Sequence, residues 1–181
     1  EACAYLVDGE VDVVTAATPL AAWKFDPVAA TTQDLALGLV TGSTGETSSL
    51  LLLAGGLYLI ARNMMSWRIP VALLGTVAVL SSLLYAIDPS TYASPLFMLF
   101  AGGLMLGAMF MATDMVGSPM TPLGQVLYAV LIGALVVVIR TWGGMPEGVM
   151  YAILLGNAAT PLIDRALPTR PYGAAPRRVA L

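Results

Sequence analysis

The 181-residue sequence contains no histidine and a single cysteine, Cys3. Without imidazoles or paired thiols the chain cannot by itself build a zinc, iron–sulfur or haem site, and a lone cysteine forms no internal disulfide. The commonest general base is missing as well, so any redox chemistry has to come from an organic cofactor or a partner subunit. Charge is also scarce: charged residues make up 10% of the chain, against about 25% in a soluble domain. Hydrophobic residues reach 58% and mean hydropathy is +0.84. This composition excludes an ordinary soluble domain and points to an all-α integral membrane protein. Nothing resembles a signal peptide, because the chain opens on Glu1 and no basic flank precedes an apolar run.

Residues 1–47 hold Glu1, Asp8, Glu10, Asp12, Asp26, Asp34 and Glu46 against one base, Lys24, and contain no run long enough to span a membrane. Apolar runs follow over 48–61, 69–87, 95–112, 124–139 and 148–163. Crossing about 30 Å of hydrocarbon takes about 20 helical residues, with about 17 as the low end. The second and third runs qualify outright; the first, fourth and fifth are short and need snorkelling flanks, local thinning or sheltering neighbours. The expected organisation is an extracytoplasmic segment over 1–47, a five-helix transmembrane bundle over 48–165 and a basic cytoplasmic tail over 166–181. With five spans, one side carries Arg62, Arg68, Arg165, Arg170, Arg177 and Arg178, and the other Lys24 and Arg140. The positive-inside bias then places the C-terminus in the cytoplasm.

Several segments could carry more than a span. Gly103 and Gly107 form a Gly-x-x-x-Gly step, which serves close helix packing either within the subunit or against another membrane subunit. In "TGSTGETSSLLLL", Ser43 and Glu46 have capping-box spacing, while the same helix start could hold an anion; no Lys follows the second Gly, so this is no Walker A loop. Asp114 closes the third run among Thr113, Gly117, Ser118 and Pro119, where it reads as an ion-pathway residue or as a plain helix end. Arg140, Glu147 and Asp164 likewise stand at helix ends, where charges reach the interface at low cost.

The stretch "DVVTAATPLAAWK", Asp12 to Lys24, differs from the rest of the chain. Thr15 and Thr18 bear hydroxyls, Ala16 and Ala17 leave them uncrowded, and Pro19 biases Thr18 toward extended backbone. An accessible Thr18 hydroxyl on a strand-like loop follows, although a simple turn fits these residues equally well.

As a pattern, Asp12-Val-Val-Thr15-Ala16-Ala17-Thr18 resembles the flavinylation motif D-x-x-(S/T)-(G/A)-A-(S/T). With Pro19-Leu20 it is similar to the corresponding segment of the RnfD subunit of the Rnf complex and of the NqrB subunit of the sodium-translocating NADH:quinone oxidoreductase. "GSTGETS" at 42–48, "MATDMVGSPMTPLGQ" at 111–125 and "IRTWGGMPEGVMYAILLGNAATPLID" at 139–164 resemble further family segments, and "GGMPEG" is closer to the Rnf member. Thr15 and Ala16 stand where Ser and Gly are usual, and Met115 replaces a usual Pro. The resemblance covers only the C-terminal half of the family's length.

This resemblance implies FMN joined through its phosphate to Thr18 by a flavin transferase, with Asp12, Thr15 and Ala17 completing the motif. It also makes Gly42, Ser43, Thr44, Gly45, Glu46 and Thr47 candidates to support the flavin. The implied role is a membrane electron-transfer subunit of an Rnf-type ferredoxin:NAD oxidoreductase, a translocase moving Na⁺ or H⁺, with no acid–base catalysis by this chain. Other membrane subunits, a second flavinylated subunit and iron–sulfur subunits are the implied partners, with riboflavin as a second, non-covalent flavin in the complex. The implied location is the inner (plasma) membrane, and no nucleic-acid partner is expected. The alternatives are the quinone-reducing complex and a non-redox membrane scaffold or transporter half.

Overall fold

The computed structural model describes residues 3–7, 10–15, 20, 48–89, 92–145 and 147–168. Ahead of the helices, β1 (Cys3–Val7) and β2 (Glu10–Thr15) form an antiparallel hairpin. Cys3 pairs with Thr15 and Val7 with Glu10, and the register shifts between Tyr5 and Leu6, which leaves Asp12 as the extra residue of β2. Such a bulge bends a strand and raises its twist. Among the described residues, the hairpin adds a small β element to an otherwise helical chain. Its sequence signal is Asp8-Gly9 between two β-prone runs, a strong two-residue turn pair.

Helix α1 (Ser49–Ala61) starts where the Ser48 hydroxyl accepts the Leu51 N–H at 3.5 Å. Ser48, not Ser43, is therefore the cap of this helix, and the Ser43–Glu46 box does not serve it. At its other end Asn63 takes a left-handed φ of 54°, the Asn63 N–H donates to the Ile60 carbonyl, and the Met64 N–H donates to the Leu59 carbonyl. This is a Schellman stop with Asn in the usual glycine place. Helix α2 (Arg68–Ile87) follows after a short turn.

The run over 95–112 is not one span. It divides into α3 (Pro95–Phe100), a break at Ala101–Gly103, the single turn α4 (Leu104–Leu106) and a π-helical turn over Gly107–Met111. The break sits at Gly102, whose φ of +67° favours glycine. Helix α5 (Pro122–Trp142) is longer than the apolar run it contains, because Thr121 caps it, Pro122 opens it and Arg140 lies inside its last turn. Helix α6 (Val149–Ala166) completes the bundle.

The helical segments thus fall on the five predicted runs with altered ends. Two of them, α2 and α5, are long and apolar enough to cross a membrane; α1, at 13 residues, reaches only about 20 Å. Ile69, Leu73 and Val77 repeat along one face of α2 and join a core with Tyr128, Ala129, Ile132 and Val136 of α5 and Ala152 and Ile153 of α6. At Gly133 a side chain would begin 2.9 Å from Thr76 Cβ and 3.1 Å from the Leu73 carbonyl oxygen, so α2 and α5 meet almost backbone to backbone. Gly107 is packed against Val149 and Ile153 of α6, while Gly103 heads α4. At Gly107 the small-residue step therefore serves packing within the chain.

The outward faces remain apolar: Leu51, Ile87, Leu154 and Leu162 are each more than two-thirds exposed. Contiguous apolar surface of this kind is unfavourable in water and suits lipid.

Candidate functional site

Breaking a helix inside a bundle orphans the carbonyls of its last turn, and each needs a donor where lipid replaces water. Here side chains from α1 and α5 supply them. The Ser49 hydroxyl donates to the Phe100 carbonyl at 3.0 Å. Arg140 donates from Nη1 to the Met98 carbonyl at 2.6 Å, from Nη2 to the Ala101 carbonyl at 3.0 Å and from Nε to the Glu147 carbonyl at 3.3 Å. Arg140 is 2% exposed. The expectation that it reaches the membrane interface is therefore wrong: its guanidinium turns inward because three fixed carbonyl acceptors offset the cost of burying it.

The break also receives the N-terminal segment. Leu20 is buried in a cluster with Ala93, Phe97, Met98 and Ala101. A side-chain carbon at Gly102 would contact Leu20 Cδ2, Arg140 Nη2 and Glu147 Oε1 together, at 3.4 to 3.6 Å. Glu147 Oε1 is buried there and makes no hydrogen bond. An anchoring leucine, a guanidinium and a carboxylate oxygen thus converge on one glycine.

A second polar group lies near the start of α5, about 30 Å away along a 21-residue helix. The loop after the π turn folds over α6, where Asn157, Thr160 and Asp164 share a face. Thr160 Oγ1 donates to the Gly117 carbonyl at 2.8 Å, and the Met120 N–H donates to Asp164 Oδ1 at 3.3 Å. Tyr128 donates its hydroxyl to Asn157 Oδ1 at 2.5 Å, and a side chain at Gly117 would start 3.1 Å from the Asn157 amide. Asp114 is exposed on the same loop. Nearby, Ser66 Oγ donates to Gln125 Oε1 at 2.9 Å, tying the α1–α2 turn to this end. Tyr128→Phe leaves Asn157 Oδ1 without its donor; it is expected to lower stability by about 1 kcal/mol, within the range of interhelical hydrogen bonds in membranes. Thermal unfolding in detergent, with Tyr85→Phe as comparison, measures it.

Of the residues expected at the flavin site, Asp12 is the bulge residue of β2 and Thr15 is its last residue. Thr18, Ala17, Gly42, Ser43, Thr44, Gly45, Glu46 and Thr47 lie outside the described residues. Asp114 is at the opposite end of α5 from the break. Arg140, Ser49, Tyr128 and Asn157 were not singled out for these contacts from sequence. For Arg140 the available signal was an arginine directly after "VVVI", near the end of the α5 segment.

A discontinuous helix pinned by a buried arginine, inside a bundle with lipid-suited outer faces, defines an integral membrane protein of the broken-helix kind. The match of a family profile over residues 3–173 makes the assignment specific: the chain belongs to the NQR2, RnfD, RnfE family. It is 51% identical over 137 residues to a component of the ion-translocating oxidoreductase complex of Stutzerimonas stutzeri, covering 76% of this chain and 39% of that one. Identity is 47% over 165 residues to a component of the proton-translocating ferredoxin:NAD(+) oxidoreductase complex of Clostridium ljungdahlii, covering 86% and 50%. It is 48% over 166 residues to the counterpart from the Na(+)-translocating complex of Acetobacterium woodii, covering 90% and 50%. The chain spans half or less of the length of these relatives.

Proposed function

We propose that the chain is part of a flavin-bearing, RnfD-type electron-transfer subunit of an ion-translocating ferredoxin:NAD oxidoreductase, with FMN on Thr18. The observation that carries the reading is the flavinylation pattern from Asp12 to Thr18, followed two residues later by Leu20, which is buried on the helix break. A redox group on an unanchored tether is poorly placed for electron transfer; a buried anchor next to the attachment residue limits its range. The names of the relatives support the Rnf assignment over the quinone-reducing alternative.

FMN supplies one- and two-electron redox chemistry that no side chain of this sequence offers. The chain's own part is to hold it. Thr18 provides the attachment oxygen, Asp12 and Thr15 complete the segment that the transferase reads, and Gly42 to Thr47 support the flavin or its phosphate with N–H and hydroxyl donors. Leu20 fixes the downstream side of the segment. A phosphoester fixes position without touching the isoalloxazine ring, so the ring's surroundings set its potential. The segment over 1–47 faces the cell exterior or periplasm, the tail over 166–181 faces the cytoplasm, and Asp114 lies on the ion pathway. Iron–sulfur subunits, a second flavinylated subunit, other membrane subunits and riboflavin complete the complex.

The test is intact mass and in-gel fluorescence of the chain co-expressed with a flavin transferase. An FMN-sized increment with fluorescence that survives denaturation is expected. An unmodified chain under these conditions would leave a non-redox scaffold as the better reading.

A further inference from the structure

Where a helix breaks inside a membrane, its outward-turned carbonyls can coordinate cations. In this chain those carbonyls already have a positive charge among them. Met98 and Ala101 present theirs from the end of α3, Glu147 presents its own from the turn before α6, and all three accept from Arg140. The remaining carbonyl of the group, on Phe100, accepts from Ser49. Glu147 Oε1 borders the same space, buried and without a hydrogen bond. Three carbonyl oxygens and a carboxylate oxygen form an all-oxygen set that suits a hard or hydrogen-bonding cation.

We propose that the helix break is a cation site whose cation is Arg140 itself, so that the break is closed to mobile cations while the guanidinium is in place. Arginine suits the role because its rigid fork reaches separate acceptors at once, whereas a lysine ammonium is a point charge. A small ion entering this end of the bundle meets carbonyls that are already engaged and a positive charge at their centre. Ion movement coupled to this chain therefore takes another route. The inference needs no flavin on Thr18.

The test uses the full chain purified in detergent, with low-millimolar guanidinium chloride as probe and sodium chloride at equal ionic strength beside it. Arg140→Ala is expected to melt below wild type and to recover at least half of the loss with guanidinium, whereas wild type responds to neither salt. Adding Glu147→Gln to Arg140→Ala is expected to weaken the recovery, because it removes the carboxylate charge from the oxygen set. No recovery, or an equal response in wild type, overturns the proposal. If Arg140→Ala does not yield folded chain, Arg140→Lys and Arg140→Gln decide the matter. Lysine keeps the charge and is expected to melt above glutamine; an equal or reversed order overturns the proposal.

Discussion

Gly133→Leu is expected to abolish the folded bundle, with a cost of at least about 3 kcal/mol, the upper end for forcing volume into a packed core. The reason is what the new side chain meets. Its first carbon lands 3.1 Å from the Leu73 carbonyl oxygen and 2.9 Å from Thr76 Cβ. A backbone oxygen has no rotamer to escape into, so α2 and α5 must separate along their whole contact. In lipid no hydrophobic effect drives the helices back together, and close packing supplies much of their association. Gly75→Leu, on α2 itself, is the control: a side chain there meets nothing within 4 Å. Size-exclusion profiles and thermal midpoints in detergent should show Gly75→Leu near wild type and Gly133→Leu aggregated or absent. Equal behaviour of the two would mean that α2 and α5 do not approach as described.

The other large effect is chemical. Thr18→Val is expected to remove the whole FMN-sized mass increment and the in-gel fluorescence, because valine matches threonine in shape but offers no oxygen for a phosphoester. Thr18→Ser is expected to keep both, since the pattern admits either hydroxyl. Thr15→Val separates attachment from recognition: it leaves the acceptor intact and is expected to lower the yield of the flavinylated chain without moving the site. Peptide mass mapping reads all three. An increment that persists in Thr18→Val would place the flavin elsewhere or make it adventitious.

Much of the bundle was legible because apolar runs report lipid exposure residue by residue, and the five runs coincide with the helical segments. Their ends were less legible. The run over 124–139 looked short because Arg140 and Thr141 end the apolar stretch, yet the helix continues to Trp142, its arginine satisfied by carbonyls about forty residues away in sequence. Conversely 95–112 read as one span, since hydropathy does not register a break whose residues, Ala101 to Gly103, are apolar or small. Gly102-Gly103 was the only local hint. The contact that stabilises the break is long-range, as is the Tyr128–Asn157 bond, and neither leaves a periodic trace. For the candidate flavin site the order is reversed. There the pattern from Asp12 to Thr18 was the clearest signal, while the register of the hairpin and the burial of Leu20 emerged only from the fold.

The π turn at Gly107–Met111 has a bearing on how this part of the chain tolerates insertions and deletions. The Ala112 N–H reaches back five residues to the Gly107 carbonyl at 2.7 Å, so this turn holds one residue more than an α-helix accommodates. Deleting one residue here would restore ordinary helix and shorten nothing essential, but it would swing everything downstream by about 100°. Thr113 and Asp114 would then leave their present side of the bundle. The extra residue acts as a phase setting: it decouples the face that packs Gly107 on α6 from the direction in which Asp114 leaves the helix.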